Sequence, residues 1–323
     1  MYDVQPKPFI DEVFHVRQAI RYCNGSFQEK QPSIQNSQSA FAIFCRQTNV
    51  VWVGFFALQI GLDSIKKHLH RLNRNRREPM TWKSILNSIM DRPHIHIPLV
   101  RELFSKEIGY IVTMALFTSF VIINKGIVVG DRQAHEAVIN IPQLLYFYLF
   151  VIVFAFPYAL VLVRRYIKFA KKDIAFVCGL SLIAISVTAL HTHVHPYLLA
   201  DNRHYTFYIW KRVYERHWSI RYLLTPVYLF GAFCVNSFIS HKKFSFQIAF
   251  DMCVIVSLIP QKLLEFRYFI LPYIILRLNL KLEDWWQLII ELAIYLSCNN
   301  SAFQTFALKT FYWNDSPDVQ RII

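Results

Sequence analysis

Apolar runs separated by short polar segments make up most of this chain. Runs at residues 41–62, 108–123, 138–163, 174–190, 222–239, 245–260 and 286–308 lie near the length of about 20 residues that a helix needs to cross a bilayer. A further run, 269–278, is short for a span and carries Pro272. It is expected to be re-entrant or broken, with its backbone covered by protein or water. The pattern predicts an all-α, polytopic helical membrane protein with about seven or eight membrane segments. Residues 1–40 are polar instead. Val13, Val16 and Ile20 share one side of a short amphipathic helix, and the Gln/Ser-rich run QEKQPSIQNSQS follows as a linker. The expected organisation is a polar tail, 1–40, and a multi-span membrane domain, 41–323.

Composition agrees with this. The chain is 54% hydrophobic and only 17% charged, against about a quarter charged in soluble domains. In a soluble protein the net charge of +14 would suggest nucleic acid. Here much of it sits in short segments between apolar runs, such as KKHLHRLNRNRR (66–77), RRYIKFAKK (164–172) and His241-Lys242-Lys243. There it orients helices and meets lipid phosphates, so no nucleic-acid partner is expected. The positive-inside rule places 66–77 in the cytosol and 1–40 on the far side. Counting onward puts polar loops 124–137, 191–221 and 260–268 on that same far side. The six cysteines lie mostly within apolar runs and show no ligand spacing, so neither zinc nor a disulfide framework is expected. The polar first nine residues, with two prolines, carry no secretory signal.

Four polar clusters fall on the far side. They are Asp11-Glu12-His15, Asp131-Arg132-His135-Glu136, the stretch HTHVHPYLLADNRHYTFYIWKRV from His191 to Val213, and Lys262-Glu265-Arg267. Asp11 and Glu12 offer a general base for a hydroxyl, although two acids also suit a helix N-terminus. Arg132 and Glu136 have the spacing of an ordinary helical ion pair. The arginines and lysines can stabilise charge on a phosphate leaving group. Aromatic residues of the His191–Val213 stretch can stack on sugars or form an interfacial belt. His191, His193 and His195 alternate, but few carboxylates stand near them and no metal site is assigned. No phosphate-cradling glycine loop, nucleophile elbow or HExxH is present.

Several blocks together resemble one family. They are DEVFH with RQAIRYCNG (11–25), RQTNVVW (46–52), GIVVGDRQAHEA (126–137), YLLADNRHYTFYIWKRV (197–213), PQKLLEFRYFILPYIILRLN (260–279) and the ending FYWNDSPDVQRII. They look like the endoplasmic-reticulum α-1,2-glucosyltransferases of asparagine-linked glycosylation, which are similar to the GT-C glycosyltransferases. The resemblance implies an endoplasmic-reticulum membrane protein with its motif loops facing the lumen. It implies transfer of the third, terminal glucose from dolichyl-phosphate glucose to the diglucosylated dolichol-linked oligosaccharide, with inversion and with no cofactor. It maps the base onto Asp11, with Glu12 in reserve. It makes Arg132, His135, Glu136, Asp201, Arg203, His204, Tyr205, Lys211 and Arg267 candidates for substrate binding. The chain departs from the family pattern in two places. No membrane helix precedes DEVFH, and QEKQPSIQNSQS stands where the family carries a WDP-to-PGLY region and several helices. A second expectation follows: an inactive shortened membrane form that binds a partner, such as a channel or the full-length enzyme. A transporter is a third reading, disfavoured by the scarcity of intramembrane carboxylates, chiefly Asp251 and Glu291.

Overall fold

The computed structural model describes residues 42–43, 46–73, 93–127, 138–192, 204–281, 284–313 and 316–322. They fall into two compact units, Met1–Gly130 and Asp131–Ile323. The polar tail 1–40 lies outside the described residues.

In the first unit, α1 (Val50–Asn73) packs against α2 (Ile97–Asn124). Ile43, Val53 and Tyr110 form the buried centre, with Val50, Ala57, Ile60 and Phe117 around it. The basic run expected as a loop from residue 66 begins instead as the last two turns of α1. It stays helical because its side chains find partners on or beside α2: His68 Nε2 lies 3.1 Å from His96 Nδ1, and Arg71 lies 3.8 Å from Glu102. The Lys106–Glu102 pair, one turn apart at 2.6 Å, carries α2 through its charged first half, well before the expected start at 108. Lys125 (φ 54°) and Gly126 (φ 156°) end α2 in a left-handed turn. Their amides donate to the carbonyls of Ile122 and Val121, a common use of glycine at a helix end. The outer face of α2 exposes Ile111, Leu116, Ile122 and Ile123, as suits a lipid-facing helix.

The second unit holds α3 (Pro142–Phe154), α4 (Phe156–Lys172), α5 (Ile174–His191), α6 (Tyr205–Ile209), α7 (Ile220–Leu223), α8 (Thr225–Ile239), α9 (Phe244–Leu258), α10 (Arg267–Asn279) and α11 (Trp285–Leu308). The single span expected over 138–163 is two helices, bent by 109° at Ala155. Pro157 is the cause, since it lacks the amide that would bond back to Val153 and so restarts the helix. Pro272 does not break α10, which is continuous and buries Phe269, Tyr273 and Leu276 around it. α11 likewise runs through Asn299, Asn300 and Ser301. An antiparallel hairpin of β1 (Thr310–Trp313) and β2 (Ser316–Arg321) follows. It is a small addition to a chain whose described residues are otherwise helical, as the all-α class leads one to expect, and TFYW is rich in strand-favouring residues. Among the described residues four helical stretches, Gln47–Leu72, His94–Asn124, Ile174–His191 and Ile220–Ile239, are long and apolar enough to cross a membrane, or five if the bent pair counts as one. The expected seven or eight are not reached on that criterion.

Inside the second unit, rings of α3 and α10 interlock: Phe150 lies 5.7 Å from Phe269 and 5.6 Å, edge-on, from Tyr273. Beside them is a polar knot. Arg277 on α10 donates two hydrogen bonds of 2.6 Å, from Nε and Nη2, to the two carboxylate oxygens of Glu291 on α11. The hydroxyls of Tyr158 on α4 and Tyr295 on α11 donate to the same carboxylate, each at 2.8 Å. Tyr273 joins through Tyr295 at 2.6 Å. Glu291 is buried, so removing either charge strands the other. Glu291→Gln is expected to lower stability by about 3–5 kcal/mol, and the paired Arg277→Met/Glu291→Met change by much less. Thermal unfolding of the purified variants in detergent checks this, and a double variant as unstable as the sum of the singles contradicts it.

α8 crosses α3 so closely at Gly231 that an added Cβ would meet the Tyr148 carbonyl oxygen at 2.7 Å. Gly231→Ala is expected to cost about 1–3 kcal/mol through overpacking. Gly179→Ala, with nothing within 4 Å of the added carbon, is the control that stays neutral in the same unfolding assay.

Candidate functional site

One end of the second unit gathers polar backbone and aromatic side chains. Residues 138–143 lead into α3, and 259–266 link α9 to α10. The amides of Val138 and Asn140 donate to the carbonyls of Pro260 and Ile259 at 3.3 and 3.0 Å. The side-chain nitrogen of Asn140 donates to the Gln261 carbonyl at 3.0 Å. Gln143 Nε2 donates to the carbonyls of Gln261 and Leu263, at 3.2 and 2.9 Å. Both amide side chains are buried, so the clasp is shielded from competing water.

The chain from Tyr205 to Leu223 closes over this clasp. After α6 the backbone loosens into a π-helical turn, Trp210–Tyr214, of the kind often found at functional sites. The rings of Trp210 and Tyr214 stack at 5.1 Å. They are buried against Tyr146, Leu224, Leu263 and Leu264, which joins this segment to the 259–266 link. Tyr214 also hydrogen-bonds the Tyr228 hydroxyl, and Trp210 Nε1 donates to Glu215 at 2.9 Å. Arg221 lies with its guanidinium 5.6 Å from the Trp210 ring centre, and its Nε donates to the Tyr214 carbonyl at 3.4 Å. Arg221, Tyr214, Glu215, Trp218 and Tyr222, all from this one stretch, line an open cavity of about 440 Å³.

Of the residues singled out from sequence, His204, Tyr205, Lys211 and Arg267 are described. His204 and Lys211 are exposed. Lys211, in the π-helical turn, lies over Phe207 of α6, 5.3 Å from the ring centre. Arg267 pairs with Glu265. Tyr205, Lys211 and Arg267 sit on the two segments that Trp210 and Tyr214 bring into contact, but none of them lines the cavity. Asp11, Glu12, Arg132, His135, Glu136, Asp201 and Arg203 lie outside the described residues, as do His193 and His195. Sequence reading passed over Arg221, Trp218 and Tyr222, although its loop 191–221 ended among them. In the sequence Arg221 stands between Ile220 and Tyr222, beyond the dense charge of 191–213. Sequence reading also missed Asn140 and Gln143, two amides at the mouth of an apolar run. The Oδ1 of Asn140, the Oε1 of Gln143 and the Tyr205 hydroxyl are buried with no hydrogen-bond partner among the described residues, so acceptor capacity is left open here.

The two intramembrane carboxylates noted from sequence have separate settings. Glu291 is held by Arg277. Asp251 lines a smaller cavity of about 200 Å³ with Asn236 and Tyr148. No group of three or more His, Cys, Asp or Glu side chains is placed to hold a metal among the described residues.

Comparison with known proteins bears on this geometry. The DIE2/ALG10 family model matches residues 5–37 and 28–278, two segments that overlap within the Gln/Ser-rich linker. A Mus musculus protein named Dol-P-Glc:Glc(2)Man(9)GlcNAc(2)-PP-Dol alpha-1,2-glucosyltransferase is 39% identical over 299 residues, which covers 88% of this chain and 63% of the relative. Proteins of the same name from Homo sapiens and Drosophila melanogaster are 36% and 34% identical, again over 88% of this chain and 63% and 64% of theirs. The chain thus spans slightly under two thirds of the length of these relatives. No solved structure matches it.

Gln143→Leu removes both side-chain bonds to the 261–263 carbonyls at nearly constant volume. Hydrogen exchange across 259–266 is expected to rise about tenfold, the change in opening that corresponds to about 1.4 kcal/mol, while exchange in the middle of α8 holds. Unchanged exchange at 259–266 would show that the clasp does not depend on this side chain.

Proposed function

The chain belongs to the DIE2/ALG10 family, and from that premise we propose that it transfers glucose from dolichyl-phosphate glucose, in α-1,2 linkage, to the diglucosylated dolichol-linked oligosaccharide. The single observation that supports this is the packing of segments 138–143, 205–223 and 259–266 against one another, beside a cavity that the 214–222 stretch alone lines with Arg221 and three aromatic rings. In this proposal the acceptor's 2-hydroxyl attacks the anomeric carbon of the donor as the bond to phosphate breaks. Inversion in one displacement then needs a base on the hydroxyl and cations on the departing dolichyl phosphate. Asp11 takes the proton, with Glu12 in reserve, from a luminal polar tail, 1–40. Arg132, Arg203, Lys211, Arg267 and Arg221 stabilise phosphate or pyrophosphate. Trp218, Tyr214 and Tyr222 offer faces on which a sugar or the polyprenyl chain packs. His135, Glu136, Asp201, His204 and Tyr205 orient the acceptor.

The same proposal places the chain in the endoplasmic-reticulum membrane, with loops 124–137, 191–221 and 260–268 in the lumen. Taking α3, α9 and α11 as membrane segments, not each a full-length crossing, beside the four long apolar helices raises the count to seven, and α10 makes eight, a GT-C-like bundle. The partners are the two dolichol-linked substrates and the bilayer. A second account rests on the internal run QEKQPSIQNSQS, which stands where the family pattern carries a WDP-to-PGLY region. On that account it is an inactive form that binds a partner.

Complementation separates the two. In cells lacking the terminal glucosyltransferase, the chain is expected to restore the three-glucose lipid-linked oligosaccharide. Arg221→Ala is expected to lower that product at least tenfold, and Asp11→Asn to abolish it, at equal membrane abundance. Accumulation of the two-glucose species alone, with the chain present in the membrane, contradicts the proposal and favours the inactive form.

A further inference from the structure

We propose that α4 is an interfacial helix whose basic face binds the headgroups of anionic phospholipids at the end of the second unit opposite the clasp. α3 is only 13 residues long, about 20 Å, too short to cross the roughly 30 Å of a bilayer core. At Ala155 the chain turns by 109° into α4, so α4 lies across the axis of α3 instead of extending it.

The 17 residues of α4, FPYALVLVRRYIKFAKK, divide into three stripes. One packs inward: Tyr158 bonds Glu291, Tyr166 lies 5.3 Å from both Phe230 and Phe233, and Phe169 stacks on Phe233 at 5.4 Å. The second is apolar and open, with Phe156, Leu160 and Ile167 46%, 50% and 47% exposed. The third is basic and open: Arg164, Arg165, Lys168, Lys171 and Lys172, all exposed, with no acidic residue anywhere in the helix. An open apolar stripe beside an open basic one is the arrangement of a helix lying in the headgroup boundary.

The chain direction places this face. α5 begins at Ile174, directly after α4, and runs 18 residues, about 27 Å, to Thr192, whose side chain lies beside Tyr146 at the clasp end. The C-terminal end of α4 is therefore about one hydrocarbon thickness from the clasp. α8 starts at the clasp end too, and its far end leads into His241, Lys242 and Lys243. Asp173, just after α4, is the acid nearest in sequence. Charge complementarity selects anionic over zwitterionic lipid, since each surface Lys or Arg adds roughly 1 kcal/mol of attraction to an anionic leaflet.

The test uses the purified full chain in detergent, titrated with phosphatidylserine or phosphatidylcholine and followed by thermal unfolding. Phosphatidylserine is expected to raise the midpoint by several degrees more than phosphatidylcholine, and 0.5 M salt is expected to remove most of the difference by screening. Replacing Arg164, Arg165, Lys168, Lys171 and Lys172 by Gln is expected to weaken apparent affinity for phosphatidylserine about tenfold or more. Replacing Arg164 and Arg165 by Lys is expected to keep it. Equal shifts from the two lipids, a salt-insensitive preference, or full affinity in the glutamine variant would overturn the proposal. The lipid and salt comparisons need no variant, so they decide the matter even where the glutamine variant fails to fold.

Discussion

Glu291 is a carboxylate among apolar helices, where an uncompensated charge costs several kcal/mol. Its position is tolerable because Arg277 meets it with two parallel hydrogen bonds, and Tyr158 and Tyr295 fill the remaining acceptor sites. These residues sit on α4, α10 and α11, so satisfying one charge fixes three helices together. Apolar packing alone is a weak guide to register among helices that also face lipid. A bidentate pair is specific in distance and angle. Tyr158 lies one turn beyond the bend at Ala155, so the knot also anchors the start of α4.

Fixing α10 there also sets its other end. Ten residues before Arg277, Arg267 opens α10 directly after the 259–266 link. The carbonyls of that link are held by Asn140 and Gln143, and its Leu263 and Leu264 form part of the seat for Trp210 and Tyr214. The interior of the unit is thus polar at two levels, a charged knot within the bundle and an amide clasp at the loop end. Its outside is largely apolar. The two proposals put chemistry at the end where aromatic rings, an arginine and unused acceptors converge, and lipid attraction at the other.

Much of the fold was legible from hydropathy because bilayer-scale runs leave few alternatives. The runs at 174–190 and 222–239 returned as helices with nearly the expected bounds. Where prediction slipped, a local partner had overridden composition. Basic residues after 66 stayed helical because His68 and Arg71 reach residues on or beside α2. The run 138–163 split because Pro157 removes one backbone donor. α10 held through Pro272, and the C-terminal hairpin was masked by the strength of the helical pattern before it. The candidate site was legible in outline only. Loops 191–221 and 260–268 are visible in the sequence as polar segments, and the described parts of both meet. Which side chains line the cavity was not legible, because Arg221 and Gln143 sit inside apolar sequence and acquire meaning only from neighbours more than a hundred residues away, or from a ring folded back over them.

The central claim is that these converging loops perform glucosyl transfer, and its most direct test is chemical. The purified chain, reconstituted in liposomes, would be given dolichyl-phosphate glucose and the diglucosylated dolichol-linked oligosaccharide, and the product resolved by glucose number and linkage. The account predicts one added glucose in α-1,2 linkage, formed in step with free dolichyl phosphate. Folded, lipid-embedded protein that yields neither product would contradict it.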